Sequence, residues 1–214
     1  MSNRQRRNAI NMMIVDGVSV EGVQEVGAAV FMHFSNHFKK HAVAGPGVDT
    51  LPFRKLSYGE AGNLTKPFSL EEVKQAIWDC DSFKSPGPDG VNFGFIKEFW
   101  ELLKDDFMKF IVEFHRNGKL MKGVNFTFIA LIPKVTSPQQ LNDFRAISLV
   151  GCMYKVLSKV LANRLRGVLG SVISDSQSAF VKGKQILDGI LIANKAVDEA
   201  KRMNKELLMF KVDF

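Results

Sequence analysis

Residues 125–134 read NFTFIALIPK, and no other segment restricts the possible folds as strongly. The run is apolar at nearly every position, too short for a helix with so many β-branched and aromatic residues, and closed by Pro133. It predicts a strand buried on both faces. Composition permits this, because 46% of the 214 residues are hydrophobic, enough for a real core.

The remaining elements are set by spacing. In NAINMMIVDGVSVEG the pair Asp16-Gly17 lies between two apolar runs, the signal of a two-residue hairpin. Residues 21–41 predict a helix, since Val26, Val30, Phe34 and Phe38 recur every four residues with acids early and lysines late. Residues 42–67 are rich in Gly and Pro and read as a linker with little regular structure. Ser69 and Glu72 stand in the S-x-x-E relation of a capping box, which starts a helix running to about Asp79. Two helical patterns then cover roughly 92–104 and 105–116. In residues 152–169, Met153, Val156, Leu157, Val160, Leu161, Leu165, Val168 and Leu169 share one broad helical face, and Lys155, Lys159 and Arg166 form a narrow basic stripe opposite. Another helix spans roughly 185–203, and the terminal LLMFKVDF reads as a strand.

Charge and cysteine content narrow the classes. Lys and Arg total 29 against 22 Asp and Glu, a net charge of +7, which points to an anionic partner, nucleic acid ahead of a membrane surface. No stretch approaches a membrane span and the basic N-terminus lacks a following apolar run, so an intracellular, non-secreted chain without membrane association is expected. Cys80 and Cys152 lie far apart, which excludes a disulfide framework and a cysteine-based zinc site and leaves buried thiols.

Several residues carry two readings. SPGPDG, residues 85–90, is a rigid bend in which two prolines fix φ and Asp89 can cap the next element. It is either a plain connection or a loop pressed against a nucleic-acid backbone, with Gly87 permitting the approach and Lys84 meeting a phosphate. Lys134 and Arg145 flank a loop that, if folded back, lets them clamp a triphosphate, Arg by its planar fork and Lys as a point charge; taken singly, each is an ordinary surface cation. His33, His37 and His41 share a helical side that suits zinc but lack a further ligand, and they flank a phenylalanine stripe. Asp105 and Asp106 diverge by about 100° on a helix and read as its acidic start, not as a metal pair. Asp213, at the end of an apolar strand, is either an exposed terminal acid or a site carboxylate.

The order of segments adds to this. KSPGPDG, NFTFIALIPK, DFRAISLVGCMYKVLSKVLANRL, SDSQSAFVKGKQILDGILIAN and FKVDF, taken together, resemble the reverse transcriptase of plant LINE-type non-LTR retrotransposons, over roughly residues 66–214. The resemblance implies an α+β fold: the helix-rich fingers of a right-hand polymerase over 66–206 and the first palm strand over 207–214, preceded by an extension over 1–65. It implies that Asp213 is the first ligand of catalytic magnesium, and that Lys134 and Arg145 approach the phosphates of the incoming deoxynucleoside triphosphate. It places the loop around Gly87 and Asp89 over the template, and Gln177 and Phe180 in a motif between fingers and palm. RNA template and RNA/DNA hybrid are the implied partners. Ala146 stands where the family commonly has proline, and Lys184 where arginine is usual.

Nucleotidyl transfer by two metals needs carboxylates from two strands. No aromatic-x-Asp-Asp sequence follows Asp213, so the isolated chain is expected to be inactive as a polymerase. A second expectation is a non-catalytic RNA- or hybrid-binding module using the stripe of Lys155, Lys159 and Arg166, with salt-sensitive affinity. A third is a non-functional product of a decayed element.

Overall fold

The computed structural model describes residues 10–39, 52–173, 183 and 185–209. Its elements are strands β1 (Met12–Val15) and β2 (Val18–Glu21), helices α1 (Val23–His37), α2 (Tyr58–Thr65), α3 (Leu70–Trp78), α4 (Phe93–Glu98) and α5 (Trp100–Asn117), strand β3 (Thr127–Pro133), a 3-10 turn (Leu141–Asp143), strand β4 (Phe144–Val150), and helices α6 (Cys152–Val172) and α7 (Ile186–Met203). The chain is thus mixed α and β, and the described residues form two separate two-stranded antiparallel sheets. It divides into two compact units, Met1–Thr50 with Phe68–Lys159, and Leu51–Pro67 with Val160–Phe214, the boundary passing through α6. No helix among the described residues is long and apolar enough to cross a membrane.

In the first unit the expected hairpin forms, with Val15 opposite Val18 and positive φ at both Asp16 (51°) and Gly17 (83°), the turn whose twist matches the flanking strands. Its inward side chains Met13 and Val15 pack with Val26, Leu141 and Phe144 into one core cluster. A second set of buried side chains comes from helices: Val73, Ala76 and Ile77 of α3, Phe93 and Ile96 of α4, and Trp100, Phe107, Phe110 and Ile111 of α5. Trp100 meets Trp78 edge-on at 5.7 Å, a favoured aromatic geometry. The predicted capping box of α3 is present, Glu72 N donating to Ser69 Oγ and Ser69 N to Glu72 Oε2.

Several expectations are corrected. The strand in NFTFIALIPK is not buried on both faces: Phe128 is 59% and Ile132 47% exposed. Among the described residues its sheet holds β3 and β4, and one face carries Leu131 and Phe144 into the core cluster. An open apolar groove of about 1110 Å³ lies between α1 and β3, bordered by Val30, Phe34, Phe38, Phe126, Ile129 and Leu131. The break between the two helical patterns falls at Phe99, so Asp105 and Asp106 sit inside α5 and not at its start, Asp106 pairing with Lys109 at 3.3 Å. Of the helix expected over 21–41, the described residues form Val23–His37, while residues 40 and 41 lie outside the described residues.

In the second unit the expected linker contains α2, started by a capping box that the Gly-rich composition conceals: Ser57 and Glu60 satisfy each other's backbone N–H groups. Arg164 of α6 closes the other end of α2, donating to the carbonyls of Leu64 (3.1 Å), Lys66 and Pro67 (2.9 Å). These are carbonyls left unpaired by the helix terminus and the chain that leaves it. Residues Leu207–Met209 are in no regular structure, contrary to the expected strand, whose remainder lies outside the described residues.

Candidate functional site

The hairpin of β3 and β4 brings two of the singled-out cations to one end. Its register sets Ile132 opposite Arg145 and Pro133 opposite Phe144, so Lys134 directly follows β3 while Arg145 is the second residue of β4. The loop between them does fold back. Lys134 N donates to Asp143 O at 2.7 Å and Lys134 Nζ to Asn142 O at 3.0 Å. The Asp143 carboxylate accepts the N–H groups of Gln140 (2.9 Å) and Gln139 (3.0 Å). These bonds, Gln140 first, hold its carboxyl below the usual carboxylate range. Ser137 adopts φ 59° in the same loop. The loop is anchored from outside by Ile14 N, which donates to Gln139 O at 2.8 Å. Ala146 lies in the regular ladder opposite Leu131, so strand pairing fixes the backbone that a proline ring would otherwise restrict.

The SPGPDG bend faces inward. A Cβ on Gly87 would overlap the Val150 carbonyl group and the Gly151 nitrogen, so the close approach that glycine permits is to the chain's own β4–α6 junction. Asp89 does not cap the next helix, α4; Asn92 does, accepting from Phe95 N at 2.9 Å. Asp89 Oδ2 instead accepts the N–H of Cys152, the first residue of α6. A carboxylate there complements both the unpaired amide and the helix dipole. The Cys152 thiol donates to Val91 O at 2.9 Å. Burial, reinforced by the Asp89 charge, pushes that thiol up to about 11.

The other expected contact residues are spread over both units. Lys84 is exposed. Lys155 Nζ donates to Ser85 O at 3.1 Å, and Lys159 lies 3.7 Å from Asp79, each turned to a partner in its own unit. In the second unit Arg166 is exposed and donates to Asn163 Oδ1 at 3.3 Å. His33 Nδ1 is 2.9 Å from Asp16 Oδ1 and its ring stacks on His37 at 6.5 Å. Asp213, Gln177, Phe180, Lys184 and His41 lie outside the described residues. Among the described residues, no three His, Cys, Asp or Glu side chains gather where a metal ion would be held.

The chain is similar to a transposon protein. It is 26% identical over 212 residues to the transposon TX1 uncharacterized 149 kDa protein of Xenopus laevis, an alignment covering 97% of this chain and 16% of that protein. The chain therefore spans about one sixth of the length of that relative. The sequence matches no protein-family model.

Three residues that organise these regions escape a reading of sequence. Asp143 ties the loop between Lys134 and Arg145. Lys97 donates to the carbonyls of Trp78 (3.2 Å) and Cys80 (2.7 Å) and to Ser82 Oγ (3.2 Å), closing the C-terminus of α3. Arg164 does the same for α2. Only Asp143 carried a local signal, an acid three residues after Gln140 at the start of a short turn.

Proposed function

We propose that this chain is the fingers region of a reverse transcriptase from a LINE-type non-LTR retrotransposon, of the kind found in plants, and that it serves RNA-directed DNA synthesis in the intact polypeptide. The observation that carries the reading is the Lys134–Arg145 pair at one end of a hairpin whose loop folds back between them. Arg offers two parallel donors to a phosphate and Lys a compact charge, a pairing suited to the triphosphate of an incoming nucleotide. The order of motifs along the chain supports it, as does the similarity to a transposon protein over nearly the whole chain.

In this reading the fingers bind and orient a deoxynucleoside triphosphate against an RNA template, with the RNA/DNA hybrid as a further partner. Lys84 and the outer side of the SPGPDG bend face the template, while Gly87 and Asp89 fix the bend to the protein. Magnesium supplies the charge neutralisation that phosphoryl transfer requires when it is bound. Asp213 would be one of its ligands. Such an enzyme works inside the cell, where its RNA template is.

The test is equilibrium binding of labelled dATP to the purified chain. Wild type is expected to bind, and Lys134→Ala and Arg145→Ala each to weaken binding by roughly tenfold or more, the worth of a charged hydrogen bond. Undetectable binding, or binding indifferent to both changes, refutes the reading. Salt-sensitive RNA binding without any nucleotide site would then favour the non-catalytic module.

A further inference from the structure

We propose that Asp143 is a positioning residue for the triphosphate clamp: its carboxylate holds the loop between Lys134 and Arg145 in the folded-back shape that keeps both cations at one end of the hairpin. This role rests on Lys134 and Arg145 binding a triphosphate, and it falls to an anion, where simple charge counting argues against one.

Asp143 sits between the two cations in sequence, immediately before β4, and its backbone carbonyl accepts from Lys134 N. Its side chain accepts two consecutive backbone amides, Gln139 and Gln140, at 3.0 and 2.9 Å. Those two residues are also the ones that β1 grips, through Ile14 N to Gln139 O and a parallel bridge between Ile14 and Gln140. Leu141 and Phe144, on either side, are buried in the core cluster. The carboxylate therefore joins the anchored part of the loop to the start of the strand that carries Arg145. The Lys134 ammonium rests on Asn142 O, the carbonyl just before Asp143. Loss of the two side-chain bonds frees the turn that sets where Lys134 and Arg145 stand relative to each other.

Electrostatics alone makes the opposite prediction. An anion beside two cations repels a triphosphate, so removing its charge would strengthen binding. The sign of the effect thus separates positioning from charge.

The experiment measures dATP affinity at fixed ionic strength for wild type, Asp143→Asn, Asp143→Ala and Asp143→Glu, with folding checked by circular dichroism. Asn removes the charge but keeps an acceptor; Ala removes both. The expected result is Asp143→Ala weakened by roughly fivefold to tenfold and Asp143→Asn within about threefold of wild type or tighter. Equal affinities for the Ala and Asn variants, or an Ala variant tighter than wild type, overturn the inference while leaving the clamp intact. If the Ala variant does not fold, Asp143→Glu decides: charge is unchanged but the carboxylate is displaced by a methylene, so weaker binding is expected and wild-type affinity overturns the proposal. Failure of wild type to bind dATP, or indifference of binding to Lys134→Ala and Arg145→Ala, refutes the clamp and the inference together.

Discussion

The carboxylate of Asp89 accepts the backbone N–H of Cys152, a residue 63 positions further along the chain. One short loop thereby caps the 21-residue helix α6 at the point where the β3–β4 hairpin ends. Replacing Asp89 by Ala leaves that first amide without its acceptor and is expected to cost about 1 kcal/mol, within the usual range for a helix cap. Asp89→Asn keeps an acceptor and loses only the charge, so a smaller loss is expected. Urea unfolding of the two variants side by side checks the ranking, and equal losses would mean the bond contributes nothing.

Gly87→Ala and Gly62→Ala should shift stability in opposite directions. At Gly87 the new methyl meets backbone on the junction of β4 and α6, atoms that cannot turn aside, and overpacking of this kind costs roughly 1–3 kcal/mol. At Gly62, inside α2, nothing lies within 4 Å of the added carbon. Ala there reduces the entropy of the unfolded chain and favours the helix by roughly 0.5–1 kcal/mol. Thermal denaturation of both variants should show the two signs.

The Cys152 thiol gives a pH dependence. Its proton is held up to about 11 by burial and by the nearby Asp89 charge, against an ordinary value of 9.0 when unfolded. Because the folded state keeps the proton longer, the contribution to stability is complete below pH 9 and is lost as pH rises through about 11. Alkylation by iodoacetamide should therefore follow a midpoint near 11 in the folded chain, and Asp89→Ala should lower it. A native midpoint at the free-thiol value would contradict the buried geometry.

Arg164 holds three carbonyls at and beyond the C-terminal end of α2 with one guanidinium. Arg164→Ala should destabilise the second unit by roughly 1.5–3 kcal/mol, the worth of hydrogen bonds to a charged group. Arg164→Lys should recover only part of this, since an ammonium lacks the planar fork. Hydrogen exchange at the amides of α2 is the direct readout, and full recovery by Lys would show that charge alone is at work.

Local features of the fold were legible because their partners are close in sequence. Asp16-Gly17 can adopt positive φ, Ser69 and Glu72 reach each other's amides, and the apolar period of residues 152–169 marks a helix, in which Val156, Leu157, Val160 and Val168 are buried while Leu165 is half-exposed. The same logic extends to Ser57 and Glu60, a capping box hidden because glycine content argued for a linker. Burial was less legible. NFTFIALIPK reads as a doubly covered strand, yet Phe128 and Ile132 are half-exposed, because the pattern records what a strand tolerates and not how many neighbours it has.

The candidate site divides in the same way. Its residue types, Lys134 and Arg145 on either side of a loop and the SPGPDG bend, were visible as motifs. That Ile14 anchors the folded-back loop, that Gly87 presses on Val150, and that Lys155 and Lys159 turn to Ser85 and Asp79, were not. Caps, turns and helix periods are written in the sequence, because each is set by residues within a turn or two of one another. Which distant carbonyl or amide a side chain such as Asp89, Lys97 or Arg164 satisfies emerges only in the folded chain, because such bonds form after folding has closed the long loops between the partners.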